Sequence, residues 1–157
     1  MSRVIKIRCI WCNLDNSLYV MYHDDEWCQL NLDDDYLFEM LLLESFQSCL
    51  YCDFVLNKRE EIRKDYDNFN LEKICNYSDD KITELINNKK IIRNKLKIKA
   101  SINNAKIFKS IRKEYGSFRN YLKTFTNEEI IYEIDKTTNL LSDSISKDLK
   151  KRGMKFV

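Results

Sequence analysis

Glu44 lies inside an apolar stretch, LLLESFQSCLYC, flanked by Leu41, Leu42, Leu43 and Phe46. A carboxylate removed from water is costly unless it meets a donor, a cation or a ligand. On a helix, Glu44, Gln47 and Tyr51 share one face, which sets an acceptor, an amide and an aromatic ring in a line. The carboxylate reads either as half of a structural pair or as a group that recognises a ligand. A second set is aromatic: Trp11, Tyr19, Tyr22 and Trp27 surround the single histidine, His23. Such rings pack cores, and they also stack on nucleobases at ~1–3 kcal/mol per base. A third set is thiol. Cys9 and Cys12 form one C-x-x-C pair and Cys49 and Cys52 another, with 36 residues between the pairs. That gap exceeds the usual zinc-finger loop of about 15–20 residues. The second pair, placed within a helix, is expected to pack as buried thiols, as is Cys75.

Charge is segregated along the chain although the net charge is only +2. Residues 1–50 hold three basic and nine acidic residues. From Lys89 to Lys113 there are ten basic residues and no acidic one, among them Lys90, Arg93, Lys95 and Lys97. A lysine-rich composition explains the abundance of lysine better than it explains the missing carboxylates. A field of one sign attracts polyanions, so this strip is expected to bind phosphate.

The elements that position these groups are helical. The chain has 157 residues, two glycines and no proline, so one all-α domain over residues 1–157 is expected. The same counts exclude a turn-rich β-barrel and a Gly-rich nucleotide loop. The apolar run from Tyr36 to Leu56 contains Glu39, Glu44 and Asp53, which marks a buried core helix rather than a membrane span. No secretory signal opens the chain, so its six cysteines read as reduced thiols or metal ligands in a cytoplasmic protein. Caps punctuate the rest. Asp33–Asp35 precede the apolar helix, and Ser78 opens a helix through Leu85 and Ile86. Asn103–Tyr115 reads as a helix ended by Gly116, followed by a segment capped by Ser117. Thr126–Glu129 forms a capping box ahead of Ile130, and Ser142 or Asp143 opens a last helix closed by Gly153. About seven helices with short connections favour an orthogonal bundle over long parallel rods.

The segments RCIW, YHDDEW, LFEMLLLES, VLNKRE, IIRNKLKI and SKDLKKRGMKFV, spread from Cys9 to Val157, resemble the 3-methyladenine DNA glycosylase I family of bacterial alkylation-repair enzymes. The resemblance implies a helix-hairpin-helix glycosylase fold, a small zinc site and monofunctional excision of 3-methyladenine from double-stranded DNA by a monomer. By the same resemblance Glu44 is the pocket carboxylate and Tyr22 a pocket tyrosine, with Trp11 and Trp27 around the base. Gln47 and Cys52 join that base-binding set, and Cys9 and His23 match two of four zinc ligands. The DNA-gripping hairpin falls at about Lys90–Lys97, where Ile91, Ile92 and Arg93 keep its pattern and Lys90, Arg93, Lys95 and Lys97 are the expected DNA contacts.

Four departures from the family are expected to matter. The chain stops at Val157, whereas the family continues with a tail carrying a His and a Cys as the other zinc ligands. Cys52 stands where a tryptophan stacks on the excised base. Lys90 and Leu96 replace hairpin glycines, and one residue is inserted between Cys9 and His23. The alternatives to an active glycosylase are a shortened, weakened or inactive DNA-binding relative, and a zinc-stabilised interaction module built on Cys9, Cys12 and His23.

Overall fold

The computed structural model describes residues 7–126 and 136–157. Helices α1 (Ser17–Asp25), α2 (Asp34–Gln47), α3 (Cys52–Asp65), α4 (Leu71–Cys75), α5 (Asp79–Asn87), α6 (Lys95–Tyr115), α7 (Phe118–Lys123) and α8 (Leu140–Lys151) follow one another, with a 3₁₀ turn at Asp67–Phe69. No strand occurs among the described residues.

Short polar side chains do the punctuation that glycine and proline do elsewhere. Asn16, Asp33, Asn70, Ser78, Asn94, Ser117 and Asn139 each accept hydrogen bonds from the first free backbone N–H groups of their helices. Asp34 works across elements. Its carboxylate accepts from the Phe118 and Arg119 backbone N–H groups at 3.0 and 3.1 Å, tying the start of α7 to the start of α2. Gly116 ends α6 at φ 83°, a left-handed conformation that a side chain would oppose.

Helix α6 is the central element and packs against α2, α4, α5 and α7. Its Ile98, Ile102, Ala105, Phe108 and Ile111 are buried at helical spacing, and Phe108 stacks on Phe118 with ring centroids 4.2 Å apart. The core runs from Phe38 and Phe46 of α2 through Ile62, Tyr66 and Ile74 to Leu149 and Met154 near the C-terminus.

Several expectations shift. The apolar run Tyr36–Leu56 is not one helix: α2 ends at Gln47, the chain turns through Ser48–Tyr51, and α3 begins at Cys52. Cys49 makes the break by taking φ 66° without being glycine. Cys49 and Cys52 therefore lie in a loop and at a helix start, exposed and half-buried, rather than packed along one helix. The helix expected from Asn103 begins earlier, at Lys95. Helix α8 opens on Asn139, and Ser142 completes that capping box from the third helical position. The box expected at Thr126–Glu129 and the helix behind it fall on residues 127–135, outside the described residues.

Candidate functional site

Three elements meet where α2 ends. Helix α1 supplies Tyr19 and Tyr22, α2 supplies Glu44 and Gln47, and α3 opens with Cys52. With Trp11 before α1 and Trp27 after it, these seven residues line a cavity of about 310 Å³. The cage is continuous: the Trp11 ring lies 5.3 Å from Tyr19 and 5.2 Å from Trp27, and Tyr22 lies 6.1 Å from Trp27. Tyr19 and Tyr22 are buried, whereas both tryptophans keep open faces. Beneath the cavity, Met40, Leu43, Val55 and Leu56 form an apolar recess that also touches Tyr22, Glu44, Gln47 and Cys52.

Glu44 is not sealed in the core as its neighbours suggested. Phe46 and Leu43 face inward, while the Glu44 side chain opens into the cavity and is exposed there. Nearby protein atoms still crowd it, and that burial raises its pKa above the ordinary glutamate value. Two other acids near the site, Glu26 and Glu39, are engaged. Arg59 donates to Glu26 at 2.7 Å and to Glu39 at 2.8 Å, and Arg63 donates to Glu39 at 2.5 Å. Burial alone would push Glu26 up, but its bonds to Arg59 hold it below the usual carboxylate range. The Glu44 carboxylate has no hydrogen-bond or ion-pair partner among the described residues, so its acceptor capacity faces the cavity.

The hydroxyls and the thiol of the cavity are neutral donors at neutral pH. Burial, the neighbouring Cys52 and Glu44 hold Tyr22 well above its ordinary value. Burial pushes Tyr19 up to about 12, and burial likewise raises the Cys52 thiol. Tyr51, expected on the Glu44 face, instead projects from the loop as a residue 85% exposed. Tyr19, part of the aromatic set in the sequence though outside the family-matched residues, completes the wall at one helical turn from Tyr22.

A second surface begins at the same loop. Helix α5, residues 88–94 and helix α6 form a helix-hairpin-helix, and Leu50, Phe54, Lys58, Lys89, Ile91, Ile92, Arg93 and Asn94 line a groove of about 400 Å³ along it. Ile91 and Ile92 are buried and anchor the hairpin, while Lys89, Lys90, Arg93 and Lys95 are exposed. The Lys58 ammonium donates to the Lys90 carbonyl at 2.8 Å and steadies the turn. Neither Lys90 nor Leu96 takes a positive φ, so the missing glycines leave the hairpin backbone unstrained at those positions.

The basic strip does not form one face. Lys109 pairs with Glu72, and Arg112 lies 3.2 Å from Asp34, so these two cations in the far half of α6 are matched by acids from other elements. Lys97 is the clearest correction. It is 5% exposed, and its ammonium donates inward to the backbone carbonyls of Phe46, at 2.6 Å, and Ser48. It is not a surface phosphate ligand, and burial lowers its pKa. A larger groove of about 890 Å³ lies elsewhere, lined by Arg63, Lys73, Lys109 and Arg112, whose charges are matched by carboxylates.

Of the residues expected to hold zinc, Cys9 and His23 lie side by side, and both His23 ring nitrogens have protein partners. The Cys9 backbone N–H donates to His23 Nε2 at 3.1 Å, which occupies the lone pair a metal needs. His23 Nδ1 then carries the proton and faces Asp24 at 3.1 Å, and Asp24 also accepts two bonds from Arg8. No group of three His, Cys, Asp or Glu side chains converges among the described residues.

Comparison with known proteins gives a consistent result. The sequence model of the Methyladenine glycosylase family matches residues 11–157. The chain is 36% identical to the DNA-3-methyladenine glycosylase 1 of Escherichia coli K12, over 96% of its own length and 83% of that protein. It is 33% identical to the DNA-3-methyladenine glycosylase of Haemophilus influenzae, covering 96% and 84%. A crystal structure of 3-methyladenine DNA glycosylase I superposes with a TM-score of 0.91 at 34% identity, covering 96% of this chain and 86% of that one. A Staphylococcus aureus structure concerned with 3-methyladenine recognition superposes at 0.84 with 31% identity, covering 90% and 78%.

Proposed function

The chain belongs to the methyladenine glycosylase family, and from that premise we propose that it excises 3-methyladenine from alkylated DNA with Glu44 reading the base. The observation that carries the assignment of Glu44 is its carboxylate: unpartnered, set in an aromatic cage, and one loop away from a cationic hairpin groove.

The work divides between the two surfaces. Lys89, Lys90, Arg93 and Lys95 hold backbone phosphates of double-stranded DNA, which fixes position without reading sequence. The damaged nucleotide leaves the stack at a cost of a few kcal/mol, roughly, and enters the cage. 3-Methyladenine in DNA is cationic, so the faces of Trp11, Tyr19, Tyr22 and Trp27 attract it. Glu44 accepts hydrogen bonds from the cationic base, a charge-assisted contact that neutral adenine does not repay. Gln47 and Cys52 close the opposite wall.

The reaction is a hydrolysis. The bond between sugar C1′ and base nitrogen breaks, its electron pair stays with the base, and a water oxygen bonds to C1′. The base leaves uncharged and the water gives up a proton. Because the base departs so readily, discrimination rests on binding the cation rather than on strong acid–base chemistry. No lysine nucleophile lines the cage among the described residues, in keeping with a monofunctional enzyme.

The protein works on chromosomal DNA in the cytoplasm as a monomer, in this reading; no helix among the described residues is long and apolar enough to cross a membrane. No step is assigned to zinc. The Arg8–Asp24–His23–Cys9 contacts hold the segment before α1 in place and bring Trp11 onto the His23 ring at 5.1 Å. The test is release of free 3-methyladenine from methylated duplex DNA by the purified chain. Release confined to methylated DNA supports the reading, and salt-sensitive DNA binding without release opposes it.

A further inference from the structure

Lys97 joins the two working surfaces. Its backbone N–H donates at 3.1 Å to the side chain of Asn94, which ends the hairpin and caps α6. Its side chain crosses the interior to the end of α2, where the Phe46 and Ser48 carbonyls accept from Nζ. The last carbonyls of a helix have no helical partner, and a cation there also meets the negative end of the helix dipole. The Phe156 ring lies 5.9 Å from the same ammonium and covers it.

The carbonyls it holds bracket the base site. The intervening Gln47 lines the cage, and the Ser48–Tyr51 loop leads straight to Cys52 on the cage wall. Leu50 of that loop lines the hairpin groove. Backbone bonds account for part of the turn, with Ser48 N–H on Glu44 O at 3.2 Å and Leu50 N–H on Gln47 O at 2.5 Å. Lys97 supplies the partners that these leave over. It ties the loop to the element that grips phosphate.

We propose that Lys97 is a positioning residue for base excision: it fixes the Ser48–Tyr51 loop against the hairpin, so that gripping the backbone sets the flipped base between the aromatic cage and the Gln47–Cys52 wall. This rests on the glycosylase reading and deepens it. Lys97 itself touches neither DNA nor base. Its loss leaves phosphate contacts and the aromatic cage intact, but lets the loop drift, and a displacement of about 1 Å at a reacting centre costs on the order of 100-fold in rate.

The experiment uses the full chain, Lys97→Met and Lys97→Arg. Circular dichroism and thermal melting report folding. Salt titrations of duplex binding report phosphate contacts, quenching of the Trp11 and Trp27 fluorescence by free 3-methyladenine reports the cage, and single-turnover excision reports alignment. For Lys97→Met the salt slope and free-base affinity match the original protein, while excision falls on the order of 100-fold; Lys97→Arg regains part of it by keeping the cation. If the methionine variant does not fold, the arginine variant carries the same comparisons, with a smaller excision loss. A salt slope lowered by about one identifies Lys97 as a phosphate ligand and overturns the proposal. Unchanged excision in a folded variant overturns it too. Absence of excision by the unsubstituted protein instead overturns the glycosylase reading.

Discussion

Replacing Glu44 by glutamine separates binding of a cation from binding of a flat ring. The substitution preserves shape and one acceptor while removing the charge. A hydrogen bond to a charged group contributes about 1.5–3 kcal/mol, against about 0.5–1.5 kcal/mol for a neutral one. Glu44 reaches solvent through the cavity mouth, which screens it and favours the lower half of that difference. The expected loss is therefore about 1 kcal/mol, or about 5-fold in excision. Stability changes in the opposite sense. A carboxyl whose pKa is raised in the fold favours folding below its unfolded pKa, and that contribution disappears as pH rises through the folded value. At neutral pH the charged Glu44 thus costs stability, so Glu44→Gln melts no lower than the original protein. The original protein loses excision as pH falls through a midpoint above the ordinary glutamate range, and the variant lacks that limb. Assays of base release against pH, beside thermal melts, check all three points. Unchanged excision, or a variant that melts several degrees lower, refutes the reasoning.

Other substitutions probe the remaining parts. Arg93→Ala removes an exposed hairpin cation and lowers the salt slope of duplex binding by about one, without changing free-base affinity; an unchanged slope removes Arg93 from the interface. Cys52→Trp returns a ring to the cage wall and strengthens free-base binding by ~1–3 kcal/mol, measured by calorimetry; weaker binding means that the ring obstructs the cavity. Arg59→Met leaves Glu26 without its cation, held by the Tyr36 hydroxyl, and leaves Glu39 with Arg63 alone. It costs about 3 kcal/mol, a fall of about 6–12 °C in melting temperature. The loss is greatest at neutral pH and shrinks as acid protonates Glu26, whose pKa is held low in the fold. A melt unchanged at neutral pH contradicts the role given to this network.

What the sequence displayed was mostly local. Ser78, Ser117 and Gly116 announce their helices because caps act within a few residues of themselves. The break between α2 and α3 left no such mark. No glycine or proline stands there, Cys49 takes the left-handed conformation, and the partner of the freed carbonyls is Lys97, far along the chain. The same long-range contact explains why Lys97 was expected at the surface: a charge run records composition but not which side of α6 faces inward. The strip also looked stronger than it is, since Glu72, Asp34 and Asp35 reach it from other elements. For the cage, motif resemblance supplied Glu44, Tyr22, Trp11, Trp27 and the Cys52 position, helix spacing added Gln47 and the aromatic set added Tyr19, and the fold brings all of them to one cavity. The sequence does not show that Glu39 is consumed by Arg59 and Arg63 while Glu44 stays unpaired. Which carboxylate stays free is settled by the helices facing α2. His23 likewise matched a metal ligand by position, yet its ring nitrogens are engaged by Cys9 and Asp24.

The most direct test is release of free 3-methyladenine from methylated duplex DNA, measured side by side for the 157-residue chain and its Glu44→Gln variant. The expected result is release by the original chain and a clear loss in the variant, with duplex binding equal in both. Equal release from the two proteins, or binding without release by the original chain, contradicts it.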